Sequence, residues 1–217
     1  MNPVQFGRRR FSKIFWRQID NKTVEDYNEA FDDLMAMEQY QQTLRERADY
    51  KTGSIDWRDI QDVYKLTRFF EPKVIAEVGT FIGVSTMTMR IAVPHAVIHT
   101  CDVSNELNVS AVEDVLLFQY QKQSSTQMFK ALADKRTSVD LMYLDGRIQD
   151  EDLQYFPQIT HDQTVFVFDD FEGIEKGVVN AMMLDGANRL LIYPREGRKT
   201  AVSLPFTLLQ FVPQEAT

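Results

Sequence analysis

Five acidic side chains, Glu77, Asp102, Asp145, Asp169 and Asp170, each end or follow a short apolar run, and Gly79 and Gly83 stand just after the first of them. Carboxylates in such places can grip hydroxyl groups, balance a cationic ligand or ligate a hard metal ion. Glycines at a strand-to-helix turn let the backbone approach a ligand closely, and the free N–H groups of the new helix point at it. Open parallel sheets bind ligands beyond the carboxyl ends of their strands, so acids at four of five strand ends form a constellation. The competing reading is that these acids only cap helix N-termini, as acids do in every α/β protein.

Spacing narrows the ligand. Asp102 lies 23 residues after Gly79, near the ~20 expected of an acid that holds ribose hydroxyls. A carboxylate there accepts hydrogen bonds from both hydroxyls and repels a 2′-phosphate. That leaves NAD-like dinucleotides and S-adenosylmethionine. The dinucleotide fingerprint needs a glycine two residues after the first, and here that residue is Phe81. A phenyl group there would block close approach of a pyrophosphate. Several acids also suit a sulfonium and an α-ammonium better than a diphosphate.

The elements that must position these residues follow from the apolar pattern. Short apolar runs at 74–78, 97–101, 116–120, 139–144 and 164–168 predict buried parallel strands, alternating with helical stretches. A helix is expected over 174–184. Runs at 189–193 and 201–209, joined by the polar turn 194–199, predict an antiparallel hairpin closing the sheet. Ahead of the sheet, 23–49 reads as one long helix or two shorter ones, with Thr23-Val24-Glu25-Asp26 as a helix start. A further helix is expected over 56–70. The expected division is a helical extension at 1–71 and a ligand-binding α/β domain at 72–217.

Bulk properties exclude several classes. With 44% hydrophobic and 26% charged residues, the 217-residue chain can bury a core. A net charge of −8 argues against general nucleic-acid binding. Cys101 is the single cysteine, so no internal disulfide forms and a reducing cytoplasm is expected. No run is long enough to span a membrane. Arg8-Arg9-Arg10-Phe11-Ser12-Lys13 looks like an export signal, yet charges return too soon after it for an apolar core. Its cations and aromatics read as docking onto an acidic body or a sister subunit in a homo-oligomer, against contact with anionic lipid or RNA.

The string Glu-Val-Gly-Thr-Phe-Ile-Gly-Val-Ser-Thr at 77–86 resembles the glycine motif of class I S-adenosylmethionine-dependent methyltransferases. It is nearest the group containing catechol and caffeoyl-CoA O-methyltransferases and their bacterial relatives. Asp-Leu-Met-Tyr-Leu-Asp-Gly at 140–146 and Val-Phe-Val-Phe-Asp-Asp at 165–170 add to the likeness, as does the closing hairpin. It spans about 52–209, with weak agreement between 104 and 116. The resemblance implies a three-layer α/β/α Rossmann-like methyltransferase sheet, mostly parallel, that transfers a methyl group to a small-molecule hydroxyl. Gly79, Thr80, Gly83 and Ser85 would line the methionine end of the cofactor, with Glu77 supporting the turn. Asp102 would hold the ribose, and Ser124, Ser125 and Thr126 would sit near adenine, though these hydroxyls read equally as helix caps. Thr52-Gly53-Ser54-Ile55 would close over cofactor and substrate.

In metal-dependent members, acids matching Asp145 and Asp169, with an acid or amide matching Asp170, bind a divalent cation. Three oxygen ligands suit Mg²⁺, which would acidify and orient a bound hydroxyl. The alternative gives Asp145 to the cofactor's ammonium and leaves Asp169 and Asp170 to cap a turn. One departure matters. The family's lysine base, or the histidine of bacterial relatives, falls three residues after Asp145, where this chain has Ile148 preceded by Arg147. Neither takes a proton at neutral pH, so the base comes from elsewhere, is the metal itself or is absent; Asp170 is the best base candidate, and Asp145 is the other catalytic residue expected. His161 reads as structural, and His95 and His99 are not taken as candidates. Two other readings stay open: a protein of this fold that binds the cofactor without catalysis, and an NAD-dependent oxidoreductase, which Phe81 disfavours.

Overall fold

The computed structural model describes residues 3–46, 55–104, 116–186 and 188–211. Three helices come first, α1 (Pro3–Glu29), α2 (Phe31–Arg45) and α3 (Trp57–Phe70). The sheet region then runs β1 (Val74–Val78), α4 (Val84–Ala92), β2 (Val97–Asp102), β3 (Leu117–Gln121), α5 (Ser125–Asp134) and β4 (Leu141–Leu144). It continues through a 3-10 turn (Asp150–Gln154), α6 (Phe156–Ile159), β5 (Val165–Phe168), α7 (Lys176–Met183), β6 (Arg189–Ile192) and β7 (Ala201–Pro205).

Among the described residues seven strands form one sheet in the order β3-β2-β1-β4-β5-β7-β6. The first five are parallel, and β7 runs antiparallel to both β5 and β6. The chain winds outward from β1 through β2 to β3 and then returns to place β4 on the other side of β1. That reversal opens a crevice at the carboxyl ends of β1 and β4, the usual ligand position in such sheets. Strand alternation sorts the core into two layers. Ile75, Ile98, Leu141, Val165 and Val167 face the side covered by α1, α3 and α4. Ala76, Val78, Met142, Leu144, Phe166 and Phe168 face the side covered by α5 and α6.

Several boundaries differ from the sequence expectation, and three of them have a plain local cause. The fourth strand begins at Leu141 because the Val139 N–H turns to the carbonyl of Ile159, at 2.8 Å. The last strand ends at Pro205, which has no N–H for a further ladder bond. Thr23 starts no helix. It lies within α1, where its hydroxyl donates to the Ile19 carbonyl at 2.8 Å.

The basic N-terminal segment docks through its apolar face. Phe15, Trp16 and Ile19 are buried, while Lys13 and Arg17 are exposed. The Trp16 indole N–H donates to the Tyr193 carbonyl at 2.9 Å, and the Tyr193 N–H donates to Ser12 Oγ at 3.0 Å. Its place in the fold is therefore set by aromatic burial and two bonds to the strand end, with Lys13 and Arg17 facing outward. Among the described residues no helix is long and apolar enough to cross a membrane.

Candidate functional site

The site begins where β1 and β4 end side by side. Gly79 has φ +98°, and a Cβ there would lie 2.8 Å from the backbone nitrogen of Gly146. Only glycine allows the two strand ends to meet so closely. The N–H groups of Asp145 and Gly146 both donate to the Val78 carbonyl, at 2.9 and 2.7 Å. The Gly79 N–H donates to the carbonyl of Cys101 at 2.9 Å, tying the turn to β2 as well.

A cavity of about 690 Å³ opens above this junction. Of the residues expected to bind cofactor, Gly79, Asp102, Ser124, Ser125 and Asp145 line it, together with Thr126. Asp102 is fixed by two backbone donors, Phe81 N–H on Oδ2 and Ser104 N–H on Oδ1, both at 2.7 Å. Each oxygen keeps a second lone pair for a ligand hydroxyl. Phe81 itself sits at φ +45°, walls the cavity and packs against the core.

The other residues expected to bind cofactor lie outside the cavity lining. Thr80 is buried and its hydroxyl pairs with that of Thr100. Ser85 donates to Glu77 Oε1 and Thr86 to Glu77 Oε2, each at 2.5 Å. These side chains brace the turn from beneath, because strand alternation sends Glu77 to the α4 side of the sheet. Burial pushes the Glu77 carboxyl up to about 7, against the lowering effect of its hydroxyl partners. Gly83, at φ +85°, is the residue before α4 and serves the turn geometry.

At the far end, the hydroxyls of Ser125 and Thr126 are taken by a residue that the sequence reading passed over. Asp152 is fully buried, and its two oxygens accept from Ser125 and Thr126 at 2.5 Å each. It also receives the Gln149 N–H at 2.8 Å. Ser124 is the N-cap of α5, its own N–H donating to Gln127 Oε1 at 2.9 Å. All three residues line the cavity wall, but only Ser124 stands at the cap position, the Ser125 and Thr126 hydroxyls being turned to Asp152. Of the segment expected to close over the site, 52–54 lie outside the described residues, and Ile55 is buried.

Asp145, Asp169 and Asp170 converge, each offering an oxygen within 4.8 Å of the others. The sequence reading missed the cation among them. Lys176 Nζ lies 2.6 Å from Asp145 Oδ1 and 3.1 Å from Asp170 Oδ2. Asp169 is buried, with Oδ1 lacking a hydrogen-bond partner. Burial, together with Asp145, holds the Asp169 carboxyl well above the usual carboxylate range. Asp145 is raised too, by burial first, with Lys176 pulling it back down. The Lys176 ammonium is disfavoured by burial, but Asp145 and Asp170 outweigh that and its pKa rises. Lys176 already pairs with one oxygen of Asp145 and one of Asp170, so a divalent ion on the three carboxylates would have to share these acids with the ammonium, a poor fit while the lysine stays there.

Ile148 is buried in the core and its N–H donates to Asn180 Oδ1 at 3.2 Å, so that position is a packed wall. His161 bonds to Asp140 at 3.0 Å beside the amino end of β1, where Asp140 also accepts from the N–H groups of Lys73 and Val74. His99 stacks on Phe118, with burial pushing its pKa down to about 4.

A seven-stranded sheet with this order, a reversed seventh strand and a glycine-turn cavity defines the fold of class I S-adenosylmethionine-dependent methyltransferases. Solved structures of that class superimpose on the chain. A caffeoyl-CoA O-methyltransferase-like protein from Staphylococcus aureus covers 86% of this chain and 98% of its own, at 12% identity and TM-score 0.60. The O-methyltransferase TomG from Streptomyces achromogenes, in complex with S-adenosylmethionine, covers 79% and 88% at 15% identity and TM-score 0.55. An O-methyltransferase from Bacillus cereus, in complex with S-adenosylhomocysteine, covers 85% and 98% at 12% identity and TM-score 0.55. Comparison with protein-family models and with curated proteins gave no match.

Proposed function

We propose that the chain is an S-adenosylmethionine-dependent methyltransferase acting on a hydroxyl oxygen of a small molecule. The observation that carries this reading is the cavity at the β1–β4 junction, with the Gly79 turn at one side and the anchored Asp102 carboxylate at its edge. Sharing the fold with proteins solved with S-adenosylmethionine or S-adenosylhomocysteine supports it.

Bound S-adenosylmethionine would supply an electrophilic methyl on a sulfonium. The chain's own part is to hold and orient. Asp102 receives the ribose hydroxyls, and the wall at Ser124–Thr126 encloses the adenine end. Asp145, which lines the cavity, would receive the proton from the acceptor hydroxyl. Asp170 does not line it and instead holds Lys176 in place. Most of the rate gain would come from orienting the two reactants.

Calorimetry with S-adenosylhomocysteine tests the cofactor assignment. The wild-type chain is expected to bind one equivalent, and Asp102→Ala to weaken that binding about tenfold or more, as the loss of charged hydrogen bonds predicts. Unchanged affinity in Asp102→Ala sinks the ribose assignment. The buried Ile148, where a base is expected, favours a second reading in which the chain binds cofactor without catalysis. Binding of S-adenosylhomocysteine with no methyl transfer to a panel of catechol and sugar hydroxyls would select it.

A further inference from the structure

Lys176 is the first residue of α7, a poor place for a cation, because the positive end of the helix dipole lies there. Something other than helix stability holds it. Gly177 supplies the means: a Cβ on it would lie 2.0 Å from the carbonyl oxygen of Asp169, so α7 presses its first turn onto the Asp169–Asp170 backbone. That contact sets the Lys176 ammonium over Asp145 and Asp170.

Three further observations bear on what the ammonium does there. Asp170 is engaged from both sides, since Lys199 Nζ lies 3.7 Å from Oδ1 while also pairing with Glu172 at 2.7 Å. Asp145 and Lys176 line the cavity, whereas Asp169 and Asp170 do not, so an ion arriving from the cavity meets Asp145 with the ammonium already on it. A divalent ion on the same oxygens would stand a few ångströms from the lysine charge, and the two cations would repel each other.

We infer that Lys176 is the resident cation of the acid triad, closing it to divalent metal ions and holding Asp145 and Asp170 in the arrangement that a metal would otherwise impose. This rests on the methyltransferase reading only for its consequence that methyl transfer runs without added metal. Lys176 is on this account a positioning residue.

Mn²⁺ is the probe, followed by electron paramagnetic resonance and by thermal unfolding with Mn²⁺ or with EDTA. The wild-type chain is expected to show no saturable Mn²⁺ site and the same Tm in both buffers. Lys176→Met is expected to gain one site per chain and a Tm several degrees higher with Mn²⁺ than with EDTA, because binding to the folded state alone stabilises it. Adding Asp169→Asn should abolish the gained site, and Lys176→Arg should not acquire one. A wild-type chain that binds one Mn²⁺, lost in Asp169→Asn, overturns the inference, as does a folded Lys176→Met with no site. Should Lys176→Met fail to fold, the smaller change Lys176→Gln replaces it and the wild-type titration decides by itself. S-adenosylhomocysteine calorimetry on the same wild-type sample reports the cofactor reading separately, so the two ideas fail independently.

Discussion

Glu77 is fully buried, and its carboxyl meets only hydroxyl partners beneath the glycine turn. Its ordinary value of 4.5 rises to about 7, through burial first, with Asp145 adding to the rise and Ser85, Thr100 and Thr86 opposing it. The folded state therefore holds this proton more tightly than the unfolded chain does. The resulting stability is fully present below pH 4.5 and is lost as pH climbs through 7. Urea unfolding of the wild type and Glu77→Gln at pH 4.5 and pH 7.5 isolates this contribution. Relative to the variant, the wild type is expected to lose on the order of 3 kcal/mol between the two conditions. Equal pH dependence in both proteins would show that Glu77 ionises in the fold as it does in water.

At the scale of elements, Asp152 joins the start of α5 to the 3-10 turn after β4, and so shapes one wall of the cavity. Asp152→Ala leaves two hydroxyls and the Gln149 N–H without their acceptor, at about 1–3 kcal/mol for each that stays buried and unpaired. A lower Tm and weaker S-adenosylhomocysteine binding are expected, with part of both restored in Asp152→Asn. If calorimetry finds affinity unchanged while Tm falls, Asp152 serves folding alone. Asp152 and Lys176 also mark where the sequence stops being legible. The glycine turn and the acids at 77, 102, 145, 169 and 170 could be read because strand ends in a parallel sheet share one edge, so position along the chain gives position in space. Lys176 reaches Asp145 across 31 residues, and Asp152 reaches Ser125 across 27. Those pairings depend on how α7 and the 150–154 turn dock, which no local pattern encodes. Thr80 and Ser85 were placed by motif, but which face of the turn each hydroxyl takes depends on the neighbours Thr100 and Glu77.

At the scale of the whole molecule, the helices before residue 72 and the sheet after it share buried contacts. Phe15, Trp16, Ile19 and Leu34 belong to the same apolar cluster as Ile75, Leu141 and Val202. Charge reinforces the join. Arg195, in the turn between β6 and β7, reaches Asp20 of α1 at 2.7 Å and the buried Asp62 of α3 at 3.3 Å, and its guanidinium lies 4.6 Å from the Trp16 ring. A buried acid such as Asp62 is costly without those partners, so separating α1 or α3 from the hairpin would strand it. We therefore propose that residues 1–71 and 72–217 unfold together despite reading as an extension and a domain. Both tryptophans, Trp16 and Trp57, lie in the helical part. Tryptophan fluorescence then reports that part, while hydrogen exchange at β1 and β4 reports the sheet. In guanidinium the two are expected to give one coincident transition. Trp16→Ala, a large-to-small change in the core, should cost about 3–5 kcal/mol and move both probes to lower denaturant together. Transitions that separate, with fluorescence changing while β1 and β4 stay protected, would instead make the helical part an independent folding unit.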